Sequence, residues 1–172
     1  AVKLDIMPTC EYCKKTFSRQ QTLDVHMCEP KRRWKQKDNK VHVLAFEIFR
    51  RFYEMNFSNQ KPKTFTDFAQ SQYYKAFVKT ATFITENTPI EIGAFIDWLC
   101  TSKIRVDSWA KQGTIDAYIK HLIRNEPVPQ ALNRTILTMG EWAEQEDARL
   151  EDFFKYVNLN RVCQWIVNGR IS

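Results

Sequence analysis

The chain is 172 residues long, with 44% hydrophobic residues, 27% charged residues and a formal net charge of +6. This length is enough for one conventional core and a small additional module. Because no apolar run could cross a bilayer, no secretory signal opens the sequence and five cysteines are too few for a disulfide framework, we expect a soluble intracellular protein without a membrane partner.

Four residues near the start have the spacing of a metal site. Cys10 and Cys13 are separated by two residues, as in a thiolate knuckle, and twelve residues separate Cys13 from His26. Cys28 follows and supplies a fourth ligand. The sequence therefore predicts one zinc ion, Zn²⁺, held by Cys10, Cys13, His26 and Cys28. His42 is an alternative fourth ligand.

A redox or disulfide pair is the alternative for the two closest cysteines. That pair would leave the positions of Phe17, Leu23 and His26 unexplained, whereas a small zinc module needs apolar groups such as Phe17 and Leu23 to cover its metal. Four protein ligands also close the coordination shell, which is typical of a structural rather than a catalytic zinc site.

The segment from about residue 8 to residue 28 resembles C2H2 zinc fingers, in the variant form whose last ligand is cysteine. The resemblance implies a ββα fold whose short helix enters the major groove of DNA. In that family the base contacts come from the residue before the helix and from its third and sixth positions. A helix that begins after Arg19 would place Arg19, Thr22 and Val25 there, with Gln21 available to the opposite strand.

The spacing of the last two ligands departs from the family. Only Met27 separates His26 from Cys28, and residues two apart on a helix do not share a face. We therefore expect the helix to end near His26. Because Pro30 disfavours helix at Glu29, we expect Cys28 to reach the metal from non-helical backbone.

A basic segment follows the finger. Residues 1 to 40 carry a formal net charge of +5, whereas residues 41 to 172 carry +1. We predict that the segment contacts nucleic-acid phosphates, with a solvated linker as the alternative. Trp34 could stack on an unpaired base or cover the junction between finger and helical domain. The candidate contacts here are Lys31, Arg32, Arg33, Trp34, Lys35, Lys37 and Lys40.

The rest of the chain is predicted to be helical, because apolar residues recur at helical spacing from Val41 onward. The predicted fold class is mainly α, with an N-terminal ββα zinc finger followed by an all-α bundle of five to seven helices. The predicted domains are a zinc finger at 1–29, a basic linker at 30–40 and an all-α helical domain at 41–172. Helices are predicted near 41–55, 64–87, 90–100, 114–124 and 129–148, and in one or two pieces over 150–168.

Several local signals support these boundaries. Thr64 and Asp67 form a cap-like pair, and Thr88 with Glu91 has the spacing of a capping box. Gly169 is expected to end the last helix. Four tryptophans are assigned to the core rather than to a base-stacking surface, namely Trp98, Trp109, Trp142 and Trp165.

An acidic face is predicted late in the chain. It is either a docking surface for a basic protein partner or an ordinary solvated helix surface. Its members are Glu141, Glu144, Glu146, Asp147, Glu151 and Asp152.

Three stretches of the helical region, 73–78, 90–99 and 107–109, resemble helicase-loading proteins of large tailed phages related to the T-even group. The stretch 26–33 is similar to zinc-finger proteins that such phages encode. The resemblance implies a host-cytoplasmic protein that binds forked or single-stranded DNA and contacts a helicase or a single-strand-binding protein. The finger is not part of the loader pattern.

No catalytic constellation can be identified. The three histidines give no triad, no phosphate-binding loop is present, and the spacing of the carboxylates does not single out a metal-dependent nuclease site. We therefore predict a non-enzymatic DNA-binding accessory protein, phage-encoded, without a small-molecule substrate. Its helical domain would recruit replication or transcription machinery. The alternatives are an adaptor of a viral or host assembly that uses the finger for protein contact, a helicase-loader-like protein that binds duplex, forked or single-stranded DNA, and an unrecognised nuclease.

Overall fold

The computed structural model describes residues 7–172, and it is 67% helical with no strand among those residues. The mainly α fold class is therefore confirmed. No helix in the described part is long and apolar enough to span a membrane. Short 3₁₀ turns occupy Val106–Ser108 and Leu150–Asp152. The helices are α1 (Gln20–Val25), α2 (Glu29–Lys35), α3 (Lys40–Asn56), α4 (Phe65–Gln70), α5 (Tyr74–Asn87), α6 (Ile92–Thr101), α7 (Gln112–Asn125), α8 (Val128–Gln145), α9 (Phe153–Tyr156) and α10 (Leu159–Val167).

The two strands predicted for the finger do not form in the described residues, so the ββα prediction is wrong in its β part. Thr9 and Thr16 meet at one isolated antiparallel bridge. The backbone between them turns tightly, since Cys10 N–H donates to Lys15 O at 2.9 Å and Lys14 N–H donates to Cys10 O at 2.8 Å. This turn uses most of the residues that strands would need.

Contacts within the chain define two compact units, one ending at Thr85 and the other running from Glu86 to Ser172. The predicted finger, the basic segment and the first long helices all belong to the first unit. The predicted domain boundaries at residues 29 and 40 stay predictions.

The core of the first unit is built from aromatic rings on α3, α4 and α5. Phe49, Phe68, Tyr74 and Phe77 are all buried. The Phe68 ring centroid lies 4.6 Å from that of Tyr74 and 5.1 Å from that of Phe49. Phe49 also meets Phe77 edge to face at 5.5 Å, a favoured arrangement of aromatic pairs.

The predicted cap at Thr64 and Asp67 is confirmed as a capping box at the start of α4. Asp67 N–H donates to Thr64 Oγ1 at 3.3 Å, and Thr64 N–H donates to the Asp67 carboxylate at 2.7 Å. The donated backbone N–H lowers the pKa of Asp67 below its ordinary value. The helical region predicted to continue to Asn87 is interrupted, because Ser71 adopts extended backbone after α4.

The capping box predicted at Thr88 and Glu91 is wrong. Helix α6 begins at Ile92, and its N-cap is Glu91 in the left-handed region, with φ 51° and no side-chain capping bond. The Tyr118 hydroxyl instead donates to Ile90 O at 3.2 Å. This tertiary contact lies at the turn, and a local sequence signal does not predict it.

The second unit contains a cluster of large aromatic residues on α8, α9 and α10. Phe153 meets Trp142 edge to face at 5.2 Å and stacks with Trp165 at 6.2 Å between ring centroids. Trp109 is also buried, and its indole N–H donates to Ile104 O at 3.0 Å. Core roles for Trp109, Trp142 and Trp165 are confirmed, whereas Trp98 is half-buried.

Gly169 ends α10 as predicted. Its φ is 80°, in the left-handed region that favours glycine. Arg170 N–H donates to Trp165 O at 2.8 Å and Gly169 N–H donates to Ile166 O at 3.2 Å. These two bonds are those of a Schellman motif.

We expect Gly169→Ala to destabilise the protein by about 1–2 kcal/mol, the cost of left-handed backbone for a residue with a Cβ. The new methyl group would also lie 2.7 Å from Ile90 Cδ1, which must move aside. Gly140→Ala is the matched control, because it lies inside α8 with open space around its Cα and should stabilise by up to about 1 kcal/mol. Urea unfolding of both variants measures the difference, and equal midpoints would contradict this assignment.

Candidate functional site

The four predicted zinc ligands lie together in the first unit. The ligand atoms of Cys10, Cys13, His26 and Cys28 are all within 4.8 Å of one another. Cys10 Sγ is 3.9 Å from Cys28 Sγ, and Cys13 Sγ is 3.3 Å from His26 Nε2. Tetrahedral zinc with metal–sulfur distances near 2.3 Å separates its sulfur ligands by about 3.8 Å. The group can therefore hold a metal ion.

The backbone that follows Cys10 favours the thiolate form of this residue. Its side chain is buried, which raises its pKa, but the backbone N–H groups of Cys13 and Tyr12 donate to its sulfur and give a net lowering of the pKa. Burial raises the pKa of Cys28. Because the thiolate is the form that binds metal, metal binding is expected to displace a proton from Cys28.

The backbone around His26 and Cys28 matches the prediction from their unusual spacing. Helix α1 ends at Val25, and His26 and Cys28 both have extended backbone, with ψ of 127° and 164°. Phe17 packs on the ligand histidine, with its ring centroid 4.7 Å from the His26 ring. An apolar ring thus covers one side of the ligand group.

The prediction that Pro30 disfavours helix at Glu29 is wrong. Helix α2 begins at Glu29, because proline is tolerated in the first turn, where backbone N–H groups have no helical partner. The alternative ligand, His42, is not part of the ligand group. Its ring lies 6.1 Å from that of Tyr74, and burial lowers its pKa.

Arg33 fastens α2 to the helical part of the first unit. Its Nη1 donates to Ala69 O at 2.9 Å and to Ser71 O at 3.3 Å. Its guanidinium lies 4.4 Å from the Tyr74 ring centroid, and its Nε is 3.3 Å from a Glu29 carboxylate oxygen. The Arg33 guanidinium, which the sequence predicts to contact nucleic-acid phosphates, thus makes several contacts within the protein.

Trp34 packs between Tyr12, which lies between the two cysteines Cys10 and Cys13, and helix α4. Its ring centroid lies 6.0 Å from that of Tyr12 and 5.6 Å, edge to face, from that of Phe65. Gln70 Nε2 adds a hydrogen bond to Tyr12 O at 3.0 Å. The contacts favour Trp34 as the junction residue rather than as a base-stacking one. Gln70 was not identified from the sequence, because its partner is 58 residues away.

The four predicted base-contacting residues are all exposed. Helix α1 begins at Gln20, which places Arg19 just before the helix, and none of its residues is buried. Val25 has 80% of its surface exposed. The residues concerned are Arg19, Gln21, Thr22 and Val25.

The cations of the basic segment divide into inward-facing and outward-facing groups. Lys31 is half-buried, and its Nζ donates to His26 O at 3.1 Å, so it supports a ligand-bearing turn. Arg32 and Lys35 are exposed on α2, three residues apart. Lys37 and Lys40 are exposed beyond that helix, with the Lys37 ammonium 4.9 Å from the ring centroid of Trp34.

The predicted acidic face is largely paired with arginines of the second unit. Asp152 and Glu151 both pair with Arg149. The other pairs join Glu146 to Arg161 and Glu141 to Arg170. Three arginines therefore offset much of the negative charge on which a docking surface for a basic partner would depend.

Comparison with protein-family models, curated proteins and solved structures gives no significant match. The ligand group and the surfaces around it therefore carry the functional argument.

Proposed function

We propose that the protein is a non-enzymatic, zinc-binding accessory protein that binds DNA through α1 and α2. The observation that carries the proposal is the convergence of Cys10, Cys13, His26 and Cys28 beside an exposed helix. Thiolate and imidazole in this ratio suit Zn²⁺, and four protein ligands make the site structural. A phage origin, and recruitment of replication or transcription machinery by the helical region, are part of the proposal through the resemblance alone.

The exposed face of α1 would enter the major groove, while Arg32 and Lys35 would contact phosphates. Arg19 is the one side chain of the four candidates that could read guanine through two hydrogen bonds, whereas Thr22 and Val25 offer methyl contacts. One finger reads about three base pairs. Most of the affinity would therefore be electrostatic and would fall steeply as salt increases.

The proposal predicts that Arg32→Glu with Lys35→Glu lowers the affinity for forked or duplex DNA by roughly tenfold or more. The dependence of log affinity on log salt should become less steep by about two, because two phosphate contacts are lost. The measurement is fluorescence anisotropy of labelled DNA at several salt concentrations. Arg33 is left unchanged because its guanidinium holds α2 in place.

Lys120→Glu with Arg124→Glu is the matched control. Both residues are exposed on α7 of the second unit, and the variant has the same net charge as the first one. It should retain most of the DNA affinity. If both variants lose the same DNA affinity, the loss is caused by net charge and not by contacts on α2. If the wild-type protein does not bind DNA at low salt, DNA is rejected as the partner.

Contact with a protein partner is the second candidate function, and the second unit supports it. Val128, Leu132 and Ile136 lie four residues apart on α8, so they share one face of the helix. Their exposed fractions are 77%, 55% and 46%. A row of exposed apolar side chains favours an adaptor that docks through α8, and DNA binding and docking are compatible because they use different units.

A further inference from the structure

A cleft of about 320 Å³ opens in the first unit where α3 ends and where α4 turns into α5. Its volume is in the range of small-molecule sites. Aromatic rings and hydrogen-bonding side chains line it together. The lining includes Tyr53, Lys63, Asp67, Gln70, Gln72 and Tyr73.

Lys63 is held at the cleft by aromatic contact. Its ammonium lies 4.7 Å from the Tyr53 ring centroid, and the Tyr53 ring stacks on Phe57 at 5.3 Å. Asp67 lies in the same lining, but its carboxylate accepts the backbone N–H of Thr64 at 2.7 Å and the Thr64 hydroxyl at 2.9 Å. The acid caps α4 and keeps its negative charge, and the Thr64 backbone N–H, helped by the nearby Lys63 ammonium, lowers its pKa. The cleft therefore carries one capped anion and one cation, and Lys63 is its cationic group.

Tyr73 presents its ring on a fixed turn. Its backbone N–H donates to Ser71 Oγ at 3.1 Å, and Ser71 O accepts from Arg33 Nη1 at 3.3 Å. The residue is nevertheless 41% exposed. The backbone that carries Tyr73 is thus anchored on both sides of Ser71. A tyrosine ring offers a large contact area with only two side-chain torsions to order on binding.

We propose that this cleft binds an unpaired base of single-stranded nucleic acid, with Tyr73 stacking on the base and Lys63 contacting an adjoining phosphate. Aromatic side chains beside cations are the usual elements of single-strand binding, since every base has a π face and every nucleotide a charge. The amide of Gln72 offers both a donor and an acceptor to a base edge.

The proposal deepens the proposed DNA-binding function and rests on it. Gln70 connects the two sites, because it lines the cleft while its Nε2 donates to Tyr12 O in the knuckle. A paired base is stacked inside the duplex and would have to be flipped out to reach the cleft. We therefore expect the finger and α2 to bind duplex and the cleft to bind an unpaired strand, as both occur at a fork.

The test compares binding of zinc-loaded full-length variants to a short oligothymidylate, a short oligouridylate and a blunt hairpin duplex. Tyr73→Ala should weaken single-strand binding by about 5- to 150-fold, because removing an aromatic ring that stacks on a base costs about 1–3 kcal/mol. Hairpin binding should be unchanged. Tyr73→Phe keeps the ring and should keep the affinity. Tyr156→Ala is the control, because Tyr156 is an exposed tyrosine of the second unit.

Each outcome bears on the cleft or on the proposed function. If Tyr73→Ala weakens binding of both the oligothymidylate and the oligouridylate, the cleft accepts single-stranded DNA and RNA alike. If it weakens binding of only one of them, the cleft is specific for that nucleic acid. Unchanged single-strand binding in Tyr73→Ala, or an equal loss in Tyr73→Phe, overturns the stacking site. If the wild-type protein binds the hairpin but no single strand, the cleft proposal fails alone. Absence of hairpin binding by the wild-type protein is the separate failure of the proposed function.

Discussion

Cys10→Ser is expected to abolish stoichiometric zinc binding and to unfold residues 8–28. Structural zinc contributes about 10–16 kcal/mol of apparent binding free energy in isolated zinc-finger peptides. Little else can order this segment, because α1 buries no residue and is only six residues long, too short to persist alone in water. The Tyr12 contacts to Trp34 and Gln70 would be lost with it.

Zinc content by mass spectrometry, together with hydrogen exchange, measures this effect. Rapid exchange should spread over residues 8–28, while amides of α8 and α10 in the second unit remain protected. Cys163→Ser is the control, because Cys163 is an exposed free thiol outside the ligand group. Full zinc content in Cys10→Ser would show that Cys10 is not a ligand.

Arg134→Met is expected to destabilise the second unit by about 3–5 kcal/mol, because it leaves a buried carboxylate without its partner. Arg134 Nη2 lies 2.6 Å from Glu126 Oε1, and the Glu126 side chain is 3% exposed. The arginine also donates from Nε to Gly169 O at 2.9 Å and lies 3.9 Å from a Glu91 oxygen. One side chain thus joins α8 to the α7–α8 connection, the start of α6 and the end of α10.

Two further variants separate charge burial from packing. Arg134→Met combined with Glu126→Leu should recover much of the lost stability, since an apolar pair of similar volume often replaces a buried ion pair without cost. Arg105→Met removes the partner of Asp107 in a pair whose side chains are 86% and 61% exposed, so its effect should stay below about 1 kcal/mol. Urea unfolding gives the values, and an Arg134→Met loss no larger than that of Arg105→Met would contradict this assignment.

Patterns of local origin predict much of this fold. The apolar spacing along α3, α7 and α8 and the glycine at residue 169 act within a few residues, so the sequence displays them directly. The end of α1 at Val25 follows from the spacing of His26 and Cys28 in the same way, whereas the prediction of its start after Arg19 comes from the zinc-finger resemblance. The sequence resemblance to zinc fingers failed at the strands, because the tight turn after Cys10 leaves room for a single bridge.

Long-range contacts account for what the sequence did not predict. Arg33 and Trp34 belong to a basic run, and the sequence gives no sign of the contacts that both make with α4. The contact of Tyr118 with the turn after Thr88 is also long-range and has no local sequence signal. The cleft at Tyr73 is assembled from α3, α4 and the connections on both sides of α4, and no single stretch of sequence has its pattern.

Zinc K-edge X-ray absorption of the purified protein tests the central claim most directly. We predict one metal with three sulfur ligands near 2.3 Å and one nitrogen ligand near 2.0 Å, with the nitrogen lost in His26→Ala. A spectrum fitted by two sulfurs and two nitrogens would exclude Cys28 or another of the thiolates as a ligand. Oxygen-rich coordination, or purified protein without zinc, would contradict the Cys3His site and with it the proposed function.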